Sequence, residues 1–374
     1  IQAVNLLKGN KNYKITYLGG NKSSGTRWND NFPFINLKSD NLIEEISIDN
    51  IAEKLGYDKD AKLLIIHADD IGIAHSINIA SFDAYKNNGI NSGSVMMISP
   101  WVKEVVEFHK QYPQYDIGVH LTLTAEWKNY KWGGLSSSNE IQSLLNDDNE
   151  FYDNTRYVNI NANPEEVRKE LQAQIDYARS LGINPSHIDS HMGAVAVNKD
   201  LWRVYIEVGN KNKLVSMATK SRIFNLFDEN FPVPQYVVPV NDIYMLYPEA
   251  DRTSLENAAG EEIANTLIVN DVYEYDDFFN LYSTKVKSLT PGLNVFLLHL
   301  GYDNEELKAI TVDHPEYGSL WRQLDYDVFN STEFKKVLKA VSYTHLRAHE
   351  TPEHRVCRLR GVKKRGGGGG GGGG

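Results

Sequence analysis

Cysteine is almost missing from this 374-residue chain, which holds a single one, Cys357. One thiol excludes an internal disulfide framework and Cys-ligated zinc, but it leaves the compartment open between cytoplasmic and exported. Long apolar runs are missing too. No stretch reaches the roughly 18 consecutive apolar residues of a membrane span, although a signal peptide ahead of Ile1 would lie outside the sequence. Positive charge is scarce, with 39 Lys and Arg against 49 Asp and Glu, a formal charge of -10. Seven of those basic residues lie after Val341, so the body carries 32 against 47 and a charge of -15. Such an acidic body argues against nucleic acid as a partner. Homo-oligomerisation stays open.

The end of the chain is unlike the rest. From Val341 it runs "VSYTHLRAHET", which reads as the translation of a transposase-type sequencing-library adapter, and it closes on the run Gly366 to Gly374. Residues 341–374 are therefore set aside from fold reasoning and expected to be disordered. Residues 1–50, polar and weakly periodic ("GGNKSSGTRWNDN"), read as a poorly defined N-terminal extension. The first residue is Ile1 rather than methionine, which suggests a reading frame clipped at both ends. A single domain over residues 51–340 remains, long enough for one α/β barrel.

Within it, short aliphatic runs alternate with amphipathic stretches. Leu63 to Ile66 is the continuous run that a two-sided parallel strand needs. A helix follows from about Ser76 to Asn88, with Gly89 as its stop. Next come a strand "SGSVMMIS", a helix between Pro100 and Pro113 with Val102, Val105, Val106 and His109 on one face, and the strand "DIGVHLTLT". In "NPEEVRKELQAQIDYARSLG", Asn163 caps, Pro164 occupies the first helical position, and Val167, Leu171, Ile175 and Ala178 form one stripe. Gly182 ends that helix. The strands "SHIDSHMG" and "LNVFLLHLG" complete the pattern. Strand and helix in alternation imply right-handed βαβ units, most economically a TIM-barrel-like (β/α) fold.

Polar chemistry collects where these strands end. The first finishes in His67, Asp69 and Asp70, the third carries His120, a later one His187, Asp189 and His191, and the last His299. Eight histidines precede Val341, and five of them fall in these four segments. A lone histidine is more often a hydrogen-bonded core or surface residue, and Asp69-Asp70 alone could be a helix cap and a turn. In a (β/α) barrel, however, the C-terminal strand ends converge on one face, and that face holds the active site.

Two histidines, one carboxylate and an open position for water form the ligand set of hydrolytic metal centres. If one aspartate of the adjacent pair binds a divalent ion, Mg or Zn, its neighbour is free to act as general base towards the attacking water. His299, arriving from another strand, can donate a proton to the leaving group or steady the oxyanion.

The segments "HADDIG", "DIGVHLTLT", "HIDSHMG" and "LLHLGYDNEELKAI", with "SGSVMMISPWVKE" and "LTAEWKNYKWGGL", resemble the motifs of the YdjC-like carbohydrate deacetylases, the ChbG/HpnK group of the wider polysaccharide deacetylase class. The resemblance covers about residues 51–340 in the same order and comparable spacing. It implies a TIM-barrel-like fold and metal-dependent removal of N-acetyl groups from amino sugars. Carried over by motif, Asp70, His120 and His191 become the ligands of one divalent ion, Asp69 the base, and His299 the acid or oxyanion partner. An acetylated sugar is the implied substrate. A metal-dependent hydrolase of another amide or ester would use the same five residues, and a degenerate carbohydrate-binding relative would be expected to have lost one.

This chain departs from the family pattern where His67 replaces an Asn common ahead of Ala-Asp-Asp, and where "HMGAVAVN" lacks a further histidine pair. The chitooligosaccharide specificity of the group is therefore not assumed. Family members also end in one more strand, so about ten to fifteen residues are expected to be missing after "STEFKKVLKA". Trp127, Tyr130 and Trp132 lie in a loop past His120, where aromatic faces serve either sugar stacking or packing. Asp189 and His67 fall behind the ligands, Asp189 either orienting a ligating histidine or facing solvent. Tyr302 and Asp303 are placed at the rim.

Overall fold

A computed structural model of the chain describes residues 57–219, 243–248, 267–269 and 272–341, with Ala52 and the backbone of short strands at 14–18, 34–38, 237–240 and 344–345. The central sheet is parallel. Its strands are β1 (Lys62–Ile71), β2 (Ser92–Val95), β3 (Gly118–Leu121), β4 (His187–Ser190), β5 (Val215–Thr219), β6 (Val237–Val240), β7 (Ile243–Tyr244) and β8 (Gly292–Leu298), in the order β6-β5-β4-β3-β2-β1-β8-β7. The two outermost strands, β6 and β7, are separated by only two residues of chain, so the sheet must curl round until its ends are neighbours. This curled α/β sheet is consistent with a TIM-barrel-like fold. No ladder joins β6 to β7 among the described residues, so a fully closed barrel is not what the pairings show.

The helices follow as the periodicity requires. They are α1 (His75–Lys86), α2 (Val102–Gln111), α3 (Thr155–Asn161), α4 (Pro164–Ser180), α5 (Lys199–Asn212), α6 (Tyr275–Ser288), α7 (Glu305–Ile310), α8 (Ser319–Asn330) and α9 (Thr332–Ala340). In α4 the Asn163 side chain accepts from the Glu165 N–H, and the expected stripe is buried. On α2, Phe108 rather than His109 joins the buried face, because the larger apolar ring stacks on Phe82 with centroids 4.0 Å apart. Outside the central sheet, 14–18 pairs antiparallel with 34–38 inside the expected extension. Thr344 and His345, within the segment expected to be disordered, pair with Leu63 and Leu64. The rest of 346–374 lies outside the described residues.

Side chains alternate across β1, and the two faces differ. Leu64, Ile66 and Ala68 join the main core. On the opposite, inner face Leu63 and Ile65 meet Leu293, Val295 and Ala52 in a small apolar plug, after which the same face continues as His67 and Asp69. Ser92 and Ser94 on β2, His120 on β3, and His187 and Asp189 on β4 are likewise buried. The curled sheet thus encloses an apolar layer at one end and a polar layer at the other. Gly118 makes room for it, since a Cβ there would lie 2.4 Å from His187 Nε2.

Candidate metal centre

The strand β1 is longer than the aliphatic run and carries both aspartates within it. Pairing with β2 loses register between Ala68 and Ile71, and Asp70 takes a left-handed conformation with φ of 62°. Such a bulge re-aims side chains, and aspartate tolerates that conformation better than most residues. Neighbouring carboxylates therefore point to different partners. Gly72 turns the chain immediately afterwards with φ of 98°, where a Cβ would crowd Val95 Cγ1 at 3.0 Å. Glu306 of α7 then caps α1, accepting from the Ser76 N–H at 2.7 Å and the His75 N–H at 3.3 Å, and so ties the β1 loop to the β8 loop.

Asp70, His120 and His191 come together, all buried. Asp70 Oδ1 lies 3.3 Å from His120 Nε2 and 3.1 Å from His191 Nδ1, and those two nitrogens are 3.3 Å apart. The far nitrogen of each ring is committed elsewhere. His120 Nδ1 lies 2.8 Å from Asp189 Oδ1, and His191 Nε2 lies 2.9 Å from Glu126 Oε2. Carboxylates accept, so each ring donates outward and, when neutral, turns a lone pair inward. Three electron-rich atoms then face one another, and Asp70 Oδ1 has no hydrogen-bond partner. A cation resolves this repulsion. Ligands about 2.0–2.1 Å from a tetrahedral zinc ion stand roughly 3.3 Å apart, so the triangle fits without rearrangement.

Charge leads to the same conclusion. Asp69, Asp70, Asp189 and Glu126 set four carboxylates around the triangle, against which Arg322 is the fixed positive charge. A divalent ion would offset much of the excess. Without it, protons are drawn in: burial works against charge on His191, yet Glu126 and Asp70 push its pKa up to about 9. His120 is likewise raised against burial, by Asp69 and Asp189. Burial also opposes ionisation of Asp70, but the Arg322 guanidinium 2.7 Å from Oδ2, with His120 and His191, holds that carboxyl well below the usual range.

The other expected residues divide. Asp189 is buried and bridges His120 and His67, so it orients the His120 ring and does not face solvent. Asp69 sets Oδ2 3.7 Å from His120 Nε2. His299 is half-buried, 5.1 Å between centroids from the Tyr317 ring. Burial pushes its pKa down to about 4, with Asp70 opposing and Arg322 assisting. Of the two roles open to Trp127 and Trp132, packing is the one visible among the described residues. They are only 3% and 8% exposed, pack edge-to-face on each other, and form a wall against Arg322 and His191. Tyr302 departs from expectation, because its hydroxyl turns away to Asp83 Oδ2 at 2.8 Å and to Tyr326. Asp303 accepts from Ser319 Oγ.

Two residues that complete the site went unmarked by the sequence reading. Glu126 sits in the loop that drew notice only for its aromatics. Arg322 lies on α8 beside Trp321, and Asp325, three residues on, accepts from the His299 N–H at 3.1 Å. Charged residues among the apolar positions Trp321, Leu324, Val328 and Phe329 are the available signal, since an unpaired charge does not stay buried.

Comparison with known proteins follows this geometry. The chain is 34% identical over 172 residues to a carbohydrate deacetylase of Thermus thermophilus, covering 46% of this chain and 59% of that one. It is 27% identical over 229 residues to a carbohydrate deacetylase of Thermoanaerobacter pseudethanolicus, covering 60% and 87%. A separate 54-residue match is 85% identical to an N-acetyl-gamma-glutamyl-phosphate reductase of Prochlorococcus marinus, covering 14% of this chain but 15% of the reductase. The chain thus spans under two thirds of the Thermus protein and about a seventh of the reductase. A solved structure of a candidate cellobiose-phosphate cleavage protein from Enterococcus faecalis shares the fold, with a TM-score of 0.58 at 20% identity over 77% of this chain and 98% of that one. The family model of YdjC-like proteins matches residues 63–340, and the chain belongs to that family.

Proposed function

We propose that this protein is a metal-dependent hydrolase that removes N-acetyl groups from an amino sugar or oligosaccharide. The observation that carries it is the triangle of Asp70, His120 and His191, whose inward-facing acceptor atoms need a cation, with the unligated carboxylate of Asp69 beside it. Relatives bearing the name carbohydrate deacetylase support the substrate class. A divalent ion, Zn or Mg, supplies Lewis acidity towards an amide carbonyl and towards water when bound. Asp69 takes the proton from the attacking water and returns it to the amine nitrogen as the C–N bond breaks. Burial pushes the His299 pKa down to about 4, which favours the neutral ring, and in that form it offers an N–H to the developing oxyanion. Asp325 fixes its backbone, and Asp189 and Glu126 hold the two ligand rings.

The 54-residue reductase match belongs to a separate part of this proposal. Outside residues 63–340, only the 62 N-terminal residues are long enough to contain it. A piece of that size carries no reductase site of its own in this reading, and the chemistry stays in the sheet. The test is acetate release from a panel of N-acetylated mono- and oligosaccharides, run with metal-loaded and chelator-stripped protein. Release that requires the metal supports the proposal, and its absence across the panel overturns it.

A further inference from the structure

His67 is fully buried on β1, two residues before the proposed base. Its hydrogen bonds define how many protons it carries. Ser92 Oγ donates its single proton to Asp116 Oδ2 at 2.7 Å, so towards His67 that oxygen can only accept. His67 Nδ1, 3.0 Å from Ser92 Oγ, must therefore donate. On the other edge of the ring Nε2 faces Asp189 Oδ2 at 2.9 Å and Asp69 Oδ1 at 3.3 Å, two carboxylate oxygens with no proton to offer. It must donate as well. A ring that donates from both nitrogens is an imidazolium.

The surroundings suit a fixed charge. Ser94 Oγ stands 3.2 Å from both His67 Nε2 and His120 Nδ1, and His187 approaches edge-on with ring centroids 5.1 Å apart. A buried cation persists only when paired and hydrogen-bonded, and here two buried carboxylates meet it. Burial opposes the charge, but Asp189 and Asp69 together push the His67 pKa up to about 9.

We infer that His67 is a positioning residue, charged at neutral pH, that clamps Asp69 and Asp189 to one cation. Asp69 Oδ1 makes no hydrogen bond within the protein, so its link to His67 Nε2 at 3.3 Å is an ion pair, and Oδ2 stays towards His120 Nε2 and the metal position. The Asp189 carboxylate is pinned between His67 and His120, so one ring sets both the aim of the base and the tautomer of a ligand. A neutral imidazole protonated at Nε2 would leave the Nδ1 lone pair facing the Ser92 Oγ lone pair, and one protonated at Nδ1 would leave Nε2 facing two carboxylates. What Asp69 does chemically rests on the deacetylase reading, whereas the charge on His67 does not.

The test has two arms on the full-length, zinc-loaded protein. Histidine-selective nitrogen-15 NMR at pH 7.5 should show both ring nitrogens of His67 protonated. A neutral-imidazole signature there overturns the inference, whether or not any acetate is released. His67→Gln, which keeps a neutral amide donor, should retain its zinc and a single cooperative melting transition at a lower Tm, while kcat falls about 10–100-fold with KM nearly unchanged. His67→Gln at wild-type kcat overturns the positioning role. Wild-type protein that releases no acetate from the panel, with the imidazolium present, sinks the deacetylase reading and leaves the charged clamp standing.

Discussion

Replacing Arg322 with methionine would leave the hydrocarbon stem against Trp127 and remove the guanidinium that pairs with Asp70 Oδ2 at 2.7 Å and donates to the Tyr317 carbonyl at 2.6 Å. Both charged side chains are only 2% exposed, so water cannot replace the lost partner. Removing one member of a buried pair typically costs about 3–5 kcal/mol, because the remaining charge is stranded. In a domain of this size that lowers Tm by on the order of 10 °C. The measurement is a thermal melt of chelator-treated protein at pH 7. A second variant, Arg322→Met with Asp70→Asn, removes the stranded charge and should recover a large part of the loss. Saturating divalent metal should also stabilise Arg322→Met, by about 2.7 kcal/mol at a hundredfold excess over Kd. The pH dependence has a definite sign. Asp70 is depressed in the folded state, so its contribution is present above the usual carboxylate range and is lost as pH falls through the lowered value. The gap between wild type and variant should therefore be constant near neutrality and close in acid. Arg322→Met melting within about 2 °C of wild type at pH 7, or a double variant no better than the sum of its singles, would refute the buried-pair reasoning.

Other outcomes follow from the same geometry. Asp69→Asn should keep its metal and lose about 10²–10⁴ in rate, whereas Asp70→Asn should lose metal. Metal content and turnover measured on both decide the roles, and the reverse pattern would exchange them. His120→Ala and His191→Ala should each abolish stoichiometric binding of a divalent ion in elemental analysis, while His75→Ala and His109→Ala should not. In chelator-treated protein His67 and His191 sit at about 9, above the ordinary 6.5. Their stabilisation is complete below pH 6.5 and lost as pH rises through 9, so Tm should fall across that window, less steeply in His67→Gln. A Tm that climbs between pH 6.5 and 9 would contradict it.

The sequence by itself was sufficient for the parts of this protein that depend on local pattern. Aliphatic runs ending in His and Asp located four strand ends, and the cap at Asn163 with Pro164 marked the start of α4. The polar strand ends were enough to point to one shared site, because parallel strands in a curled sheet deliver their ends to one place, and the resemblance to the YdjC-like motifs singled out Asp70, His120 and His191 within it. Tertiary structure decided everything that depends on which way a side chain turns. Trp127 and Trp132 have the composition of a sugar platform, yet packing spends their faces on each other, on Arg322 and on His191. Tyr302 lies three residues after His299, but its hydroxyl is captured by α1. Arg322 reaches Asp70 across 252 positions of sequence, a separation at which no periodicity carries information. The opposite orientations of Asp69 and Asp70 come from one left-handed residue at a strand bulge, and the charge on His67 comes from the proton that Ser92 gives to Asp116 rather than to it. Residue types and their order select the chemistry, but proton positions and lone-pair directions exist only once the strands lie side by side.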